Sequence, residues 1–303
     1  MFHAAAISVL LASPSLANPI VGGELTDEFP ETVMLWLGDG TCSGTLIDPY
    51  WVLTAAHCVD GLTNTSSSMA YLGASPGSGS NDGTARITAV YVHPDYRESM
   101  INGRDAGLVE LTTPFDQVEP ARLTRGSVDD SWTDRTVRYV GYGVTHEDGW
   151  DSGTKRTVDV PLYQFDEHWL YTYDKGHNMC WGDSGGTAYV ETEDGLALAG
   201  IMSWVSSWDN ADYPCTTGWG SSTRIDTVMD WIDEHVEARY IEDPPVDTAP
   251  PVDTAVSDTG DPIVELEDPE EPGGCGCSGG SALGLWGVGV GLLGLVRRRR
   301  TVR

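Results

Sequence analysis

The segment Cys180–Gly186 reads Cys-Trp-Gly-Asp-Ser-Gly-Gly and places one serine among three glycines. Glycine lets the backbone turn sharply and approach a ligand closely. In such a turn, the amide groups of Gly182 and Ser184 can point at one spot beside the Ser184 hydroxyl, which is the arrangement of an oxyanion hole next to its nucleophile. An ordinary surface turn accounts for the same composition about as well, so the segment needs support from elsewhere in the chain.

A serine hydroxyl is a weak nucleophile unless a base takes its proton, and the base needs a third group that fixes its tautomer. His57, in Leu-Thr-Ala-Ala-His-Cys at residues 53–58, is the candidate base. Asp105, at the start of an apolar run, is the candidate orienting acid. The chain order His, Asp, Ser is one of the orders known for such triads. Together the three residues predict acyl transfer, although each taken singly could be structural.

Other short motifs accompany these residues: Ile-Val-Gly-Gly at 20–23, Cys-Ser-Gly-Thr-Leu-Ile at 42–47, Gly-Tyr-Gly at 141–143, Ser-Trp at 203–204, Thr-Arg at 223–224 and Trp-Ile at 231–232. With the histidine and serine segments, they make the sequence similar to the chymotrypsin/trypsin family of serine endopeptidases over about residues 20–240. The resemblance implies hydrolysis of proteins or peptides by His57, Asp105 and Ser184, with oxyanion amides on Gly182 and Ser184. No nucleotide-binding loop or cluster of metal ligands stands out in the sequence, so we infer no cofactor.

The resemblance also implies two disulfide bonds, Cys42–Cys58 beside the His57 turn and Cys180–Cys215 at the wall of the specificity pocket. The six cysteines and an export signal fit an oxidising compartment. Zinc binding is the competing interpretation, but it needs ligand pairs at short spacing. Residues 1–240 contain no Cys-x-x-Cys pair, so we predict no metal site.

The sequence around Asp105 departs from the family pattern. The family usually has Asn before the acid and Ile-Ala-Leu after it, whereas this chain has Arg104 before it and Ala-Gly-Leu at 106–108. A guanidinium beside the acid would draw its charge away from His57. We therefore expect the Arg104 side chain to point elsewhere.

The specificity pocket can be read from the same resemblance. In the family its base is six residues before the nucleophile, which is Asn178 here, and a neutral amide gives little preference for Arg or Lys. Val205 stands where the family usually has Gly on the pocket wall, and Gly220 is expected to face it. We therefore predict a narrowed pocket and a neutral, small-to-medium residue before the scissile bond. Ser203, Trp204 and Val205 match the segment that pairs with an extended substrate through its backbone.

Residues 1–17 contain an apolar run and end in Ser-Leu-Ala, which predicts a secretory signal peptide, although the basic n-region is missing. Cleavage there leaves Asn18–Pro19 as a short propeptide before Ile20. In the family, the freed amine of the first mature residue pairs with the acid before the nucleophile, here Asp183. Proline at this position does not suit a trypsin-like activator, so we expect a separate peptidase to remove the dipeptide.

Between residues 20 and 240, short apolar runs alternate with turn residues, which is typical of antiparallel barrels. The runs form two groups and predict an all-β protein with barrels at about 20–120 and 130–240. The resemblance makes each barrel six-stranded and chymotrypsin-like, with the site in the cleft between them. Residues 227–239 have apolar side chains at helical spacing and predict a C-terminal docking α-helix. The predicted strands are 32–37, 45–47, 51–55, 69–72, 85–92, 106–111, 136–140, 155–162, 187–190, 196–202 and 218–225.

The formal net charge is −29, and residues 1–240 carry 35 acidic and 12 basic residues. Phosphate contacts need clustered Lys and Arg, so we predict no nucleic-acid partner. A solvated, salt-tolerant surface is the simplest interpretation of the charge, ahead of a site for cationic substrates. We expect the catalytic domain to be monomeric.

After Tyr240 the composition changes abruptly. Residues 241–274 contain 11 acids, no base and a repeated Pro-Pro-Val-Asp-Thr-Ala, which predicts a disordered linker. Residues 275–303 contain Cys275 and Cys277, a Gly-rich apolar segment and an arginine cluster. This ending resembles the myxobacterial MYXO-CTERM sorting tail, which implies a bacterial protein anchored to the membrane or cell surface, with cleavage or lipid attachment near a cysteine. The alternatives are a plain C-terminal membrane helix and a disulfide or metal site at Cys275 and Cys277.

Two other functions compete with this interpretation. A surface binding module on a protease fold would do no chemistry, but such proteins usually lack a triad residue, and this chain keeps all three candidates. An esterase would carry its serine in a G-x-S-x-G elbow with the order Ser, Asp, His, which does not match. The sequence therefore favours a secreted, surface-anchored serine endopeptidase.

Overall fold

The computed structural model describes residues 20–38, 40–79, 81–96, 104–207 and 213–236. The predicted signal peptide, dipeptide, linker and sorting tail lie outside the described residues. None of the helices in the described part of the chain has the length and apolar composition needed to span a bilayer.

The first barrel is closed and antiparallel, with the strand order β2-β3-β4-β7-β6-β5. A two-residue strand, β1 (Glu24–Leu25), precedes it and pairs with the second barrel. The interior is filled by aliphatic side chains from alternating strand positions, such as Val33 and Leu35. Its strands are β2 (Thr32–Trp36), β3 (Thr41–Asp48), β4 (Trp51–Thr54), β5 (Met69–Leu72), β6 (Gly83–Val92) and β7 (Gly107–Leu111).

The second barrel has the order β9-β10-β13-β12-β11-β8 and is closed by the pairing of β8 with β9. The prediction of an all-β fold with two closed, antiparallel, six-stranded barrels is confirmed. The strands are β8 (Thr136–Gly141), β9 (Arg156–Phe165), β10 (Trp169–Thr172), β11 (Thr187–Thr192), β12 (Gly195–Ser206) and β13 (Trp219–Arg224).

Two strands were not predicted from the apolar runs. β1 has only two residues, both exposed. β10 reads Trp-Leu-Tyr-Thr, and three of its four residues are buried. The two residues of β1 are too few to alternate, and the first three residues of β10 are all apolar, so neither strand shows an alternation of apolar and polar residues. They are stabilised instead by pairing: β10 lies between β9 and β13 and is needed to close the barrel.

The described residues contain three short α-helices: α1 (Ala56–Val59), α2 (Pro214–Thr217) and α3 (Met229–His235). The predicted C-terminal helix begins two residues later than expected, because residues 225–227 form a 3-10 turn. Trp231 and Ile232 of α3 are buried in a cluster that includes Leu53 of the first barrel and Leu198 of the second. This shared core holds the two barrels together and fixes the loops that meet between them.

Candidate active site

Strand pairing brings His57 and Asp105 together. The end of β4 pairs with the start of β7, so that Thr54 lies opposite Gly107. The chain leaves β4 into α1, which carries His57, and enters β7 just after Asp105. His57 Nδ1 lies 2.7 Å from Asp105 Oδ2, and the backbone N–H of His57 donates to Asp105 Oδ1 over 2.9 Å. Both carboxylate oxygens therefore hold the same histidine.

Asp105 is 5% exposed, and its Oδ2 also accepts a 2.5 Å hydrogen bond from the Ser203 hydroxyl. Burial alone raises the pKa of Asp105, but the hydrogen bonds from His57 and Ser203 and the charge of His57 outweigh it, so the pKa lies below its ordinary value. A carboxylate only accepts hydrogen bonds, which assigns the imidazole proton to Nδ1 and leaves Nε2 free to accept one.

Arg104 points away from Asp105. Its Nη1 lies 2.8 Å from Oδ2 of Asp95, at the protein surface. The backbone of Arg104 has a left-handed conformation, with a φ of +58°. Asparagine tolerates this conformation better than most residues do. The guanidinium therefore makes no direct contact with the acid that follows it, as the sequence analysis expected.

The serine loop turns at Gly182, whose φ of +92° is open to glycine at no steric cost. Within the described residues, the amides of Gly182 and Ser184 donate to no acceptor. Both are therefore available for an oxyanion. The other amides of the turn are bonded inside the protein: Asp183 to the carbonyl of Cys180, Gly185 to that of Met202 and Gly186 to that of Asp183.

The Ser184 hydroxyl has a neighbour, Ser203, in common with the His57–Asp105 pair, but no hydrogen bond joins it to that pair in the described residues. Its Oγ is 3.5 Å from the carbonyl oxygen of Ser203, the residue whose own hydroxyl binds Asp105. No hydrogen bond joins Ser184 to His57 among the described residues. Bonds between nucleophile and base are often long in proteins without substrate.

Ser43, in β3, ties the serine loop to the first barrel. Its N–H donates to the carbonyl of Ser184 over 2.8 Å, and its hydroxyl donates to the carbonyl of Gly182 over 2.9 Å. The same hydroxyl accepts the N–H of Tyr142. These bonds fix the carbonyls on both sides of Asp183, and so the backbone from which the two free amides project. Sequence reasoning missed Ser43, because its hydroxyl's partners lie 139 and 99 residues away.

Asp183 is completely buried and accepts hydrogen bonds from the amides of Gly143 (2.7 Å) and Cys180 (2.8 Å). Burial raises its pKa to about 7, and those two amides oppose the rise only in part. Ile20, the expected partner, is also fully buried, but no hydrogen bond joins it to Asp183 in the described residues. Its φ is +45°, which is an outlier for a β-branched residue.

The structure brings the predicted pocket residues together. Val205 of β12 lies opposite Gly220 of β13. A Cβ on Gly220 would lie 2.5 Å from Asn178 Oδ1 and 3.0 Å from Met179 Cε. Asn178 is buried, and its Nδ2 donates weakly to the carbonyl of Gly218 at 3.4 Å. Met179 was missed by sequence reasoning, although it directly follows the predicted pocket base.

Trp204 lies between Ser203 and Val205 in β12 and packs edge-on against Trp169 and Tyr171 of β10. The ring centroids are 5.7 and 6.3 Å apart. The unpredicted strand β10 therefore supports the side of the cleft where the substrate backbone was expected to pair.

Disulfide bonds join Cys42 to Cys58 and Cys180 to Cys215. In the described part of the chain, Cys42, Cys58 and His57 lie close enough to be considered as metal ligands. Both sulfurs are bonded to each other, which leaves only the imidazole. This group does not fit a zinc site, which needs three or four protein ligands.

Comparisons with known proteins agree with this fold. The Trypsin family model matches residues 20–232. Trypsin from Phaedon cochleariae is 29% identical over 65% of this chain and 79% of its own length. Tryptase from Mus musculus is 27% identical over 77% of this chain and 95% of its own length, and serine protease 56 from Mus musculus is 30% identical over 72% and 39%. The solved structure of neuropsin, a serine protease expressed in the limbic system of mouse brain, has a TM-score of 0.57 at 25% identity and covers 70% of this chain and 97% of its own.

Proposed function

Because this chain belongs to the trypsin family and is a serine-type endopeptidase, we propose that it cleaves protein or peptide substrates through His57, Asp105 and Ser184. One observation carries the assignment of the triad. Asp105 holds His57 through both carboxylate oxygens, next to a serine loop with two unbonded amides.

The proposed reaction proceeds through an acyl-enzyme. Ser184 Oγ attacks the scissile carbonyl carbon while Nε2 of His57 takes its proton, and Asp105 stabilises the imidazolium that forms. The carbonyl oxygen becomes an oxyanion that accepts hydrogen bonds from the amides of Gly182 and Ser184. His57 then protonates the amine nitrogen as the scissile carbon–nitrogen bond breaks, which leaves the acyl group on Ser184 Oγ. In the second half, His57 takes a proton from water, the resulting hydroxide attacks the acyl carbon, and Ser184 regains its proton from His57.

This chemistry requires the Ser184 hydroxyl to turn toward Nε2. Its present 3.5 Å contact with the Ser203 carbonyl is weak, because hydrogen bonds between oxygens are ordinarily shorter than 3.0 Å. Rotation about the Cα–Cβ bond of Ser184 releases this contact. The imidazole of His57 is not enclosed by the protein, since 37% of its side chain is exposed.

A fluorophosphonate probe tests the triad, since it labels only an activated serine. We expect one label on the active protein, at Ser184, and none on Ser184→Ala. His57→Ala should slow labelling by several orders of magnitude. Ser131→Ala, which removes a serine far along the chain from the site, serves as the control and should be labelled at the wild-type rate. Equal labelling of the His57→Ala protein would exclude His57 as the base.

For specificity, we propose a neutral, small-to-medium residue before the scissile bond. The support is an uncharged base at Asn178, a side chain at Val205 opposite Gly220, and Met179 beside them. Cleavage of a peptide library measures the preference. Val205→Gly should raise kcat/KM for large aromatic residues at this position by about tenfold, because removing methyl groups from a pocket is worth about 1–3 kcal/mol. A wild-type profile dominated by Arg or Lys would overturn the proposal.

For activation, we propose that removal of Asn18–Pro19 frees the amine of Ile20 to pair with Asp183. Two observations support this: Asp183 is buried with no cation bonded to it among the described residues, and Ile20 has a left-handed backbone. Such strain costs about 1–3 kcal/mol, and cleavage before Ile20 removes the peptide unit that causes it. N-terminal sequencing of the active protein should give Ile-Val-Gly-Gly. Full activity in a protein that starts at Asn18 would contradict the pairing.

For location, we propose export by residues 1–17 and surface anchoring by residues 275–303, with residues 241–274 as the spacer and a monomeric catalytic domain at 20–240. The support is the sequence pattern alone. Mass spectrometry of the C-terminal peptide from the membrane fraction tests the anchor. A surface-bound protein that lacks Cys275 would exclude lipid attachment at that residue. Size-exclusion chromatography with light scattering tests the monomer.

A further inference from the structure

Arg156 is a buried arginine that the reaction scheme leaves without a role. It begins β9 and is only 4% exposed, which is rare for an arginine unless it is paired. Its Nη1 lies within hydrogen-bond distance of three carbonyl oxygens, and its Nη2 is 3.5 Å from a carboxylate oxygen of Asp151. The carbonyls are those of Gly143 (3.1 Å), Asp151 (3.0 Å) and Thr154 (2.9 Å). One guanidinium therefore holds both ends of residues 143–154, which we call the bracing loop.

The bracing loop packs directly against the serine loop. The N–H of Val144 donates to the carbonyl of Trp181 over 2.9 Å. A Cβ on Gly182 would lie 3.1 Å from the Cα of Gly143 and 3.8 Å from the Cβ of Ser152. The bracing loop therefore forms the surface on which the oxyanion-hole glycine rests.

Gly143 connects Arg156 to Asp183. Its carbonyl accepts from Arg156, and its N–H donates to Asp183 Oδ1 over 2.7 Å. A Cβ on Gly143 would lie 2.5 Å from Asp183 Cγ, so the contact leaves no free space. Burial raises the pKa of Asp183, while the charge of Arg156 lowers it and that of Asp151 raises it. Arg156 thus acts on Asp183 through one shared residue, Gly143, and through its charge.

We propose that Arg156 is a positioning residue for the oxyanion hole, which keeps Gly143 in place beneath Gly182 and Asp183 and so keeps the amides of Gly182 and Ser184 aimed at the reacting carbonyl. The inference rests on the proposed function. The guanidinium is expected to affect the stability of the transition state more than the binding of the substrate.

The test compares Arg156→Gln and Arg156→Lys with Arg138→Gln in the active protein. Arg138 is a matched control, because it lies in β8 of the same barrel and pairs with Asp159 at the surface. Each variant is assayed for kcat and KM and for binding of two inhibitors. A peptide aldehyde forms an adduct whose oxyanion needs the two amides, whereas the matching peptide alcohol only fills the pocket.

Arg156→Gln should lower kcat about tenfold with KM within about twofold, a smaller loss than that caused by removing an oxyanion donor itself. The aldehyde should bind about tenfold more weakly, and the alcohol should bind as it does to the wild type. Arg156→Lys keeps the charge but cannot reach three carbonyls at once, so its losses should be intermediate. Arg138→Gln should match the wild type.

Equal weakening of both inhibitors would show a merely structural role and overturn the proposal, as would wild-type kcat in the Arg156 variants. Kinetic constants are calculated from the concentration of active protein, which titration with the fluorophosphonate measures. Partial unfolding of a variant is therefore not mistaken for lost catalysis. If Arg156→Gln does not fold, Arg156→Lys decides by the same inhibitor pair. Failure of the wild type to take the fluorophosphonate would instead refute the triad, which keeps the two failures distinguishable.

Discussion

Asp105 and Asp183 are both buried beside the candidate site, yet their surroundings shift their pKa values in opposite directions. Asp105 accepts hydrogen bonds from an imidazole, a hydroxyl and an amide, which together outweigh burial and lower its pKa. Asp183 accepts from two backbone amides, and burial raises its pKa to about 7. Asp105 comes from the first barrel and Asp183 from the second.

The difference in hydrogen-bond partners indicates that the two acids have different tasks. Asp105 of the first barrel is already bonded to its proposed partner, so the His57–Asp105 pair is preorganised in the described chain. In the part of the chain that the structure describes, Asp183 of the second barrel has no bonded cation, and a buried carboxylate without one is costly. We infer that any control over activity acts on the serine loop rather than on the histidine. Four predictions test this comparison, in order of decreasing effect.

The largest effect is expected at Asp105. Asp105→Asn should lower kcat by about 10⁴-fold with little change in KM, because the amide cannot stabilise the imidazolium and favours the wrong tautomer of His57. Steady-state kinetics, with the active fraction measured by titration, provide the value. Ser203→Ala, which removes one hydrogen bond to the same carboxylate, should cost far less. A loss below tenfold in Asp105→Asn would show that this acid does not orient the base.

The second prediction concerns the pH dependence of stability in a chain that starts at Asn18 and carries Ser184→Ala. Because the folded-state pKa of Asp183 is raised from 3.8 to about 7, its ionisation opposes folding. The contribution of Asp183 to the free energy of unfolding is complete below about pH 4 and is lost as the pH rises toward 7. The total loss is ~4 kcal/mol, because each pH unit between the two pKa values removes ~1.4 kcal/mol. Urea unfolding between pH 4 and 8 measures this loss.

Asp183→Asn is the control for that experiment and should remove the loss. Asp105 contributes in the opposite sense, because a lowered pKa adds stability that disappears as the pH falls. In the chain that starts at Ile20, the new ammonium should lower the pKa of Asp183 and abolish the loss. An identical pH profile in the two chains would contradict the pairing of Ile20 with Asp183.

A smaller effect is expected at Ser43, which links the two halves of the site. Ser43→Ala removes two hydrogen bonds, of which only the one to the Gly182 carbonyl reaches the serine loop. Since one hydrogen bond contributes about 0.5–1.5 kcal/mol, the variant should lower kcat by about three- to tenfold with KM nearly unchanged. The matched control is Ser68→Ala, because the buried Ser68 hydroxyl has no partner in the described residues. Equal kinetics for the two variants would remove Ser43 from the support of the serine loop.

The smallest effect is expected at Arg104. Arg104→Asn should leave kcat within about twofold of the wild type, because the lost ion pair with Asp95 is at the surface and worth at most about 1 kcal/mol. Asparagine also tolerates the left-handed backbone at this position. A large rise in kcat would show that the charge of Arg104 weakens the hold of Asp105 on His57.

Several features of the molecule could be predicted from the sequence. The alternating apolar runs predicted two barrels, because a barrel strand buries every second residue. The serine among glycines, the histidine before Cys58 and the acid before an apolar run indicated the candidate triad, because their chemistry is local to a few residues. The resemblance to known endopeptidases added the pocket residues Asn178, Val205 and Gly220, which the fold then placed side by side.

Other features were decided only by the tertiary structure. β10, Ser43, Met179 and the bracing role of Arg156 had no sequence signal, because each depends on partners brought from distant parts of the chain. The opposite shifts of Asp105 and Asp183 also could not be read from two aspartates in a sequence. A pKa is set by burial and by the donors that surround the carboxylate, and both exist only after the two barrels have packed together.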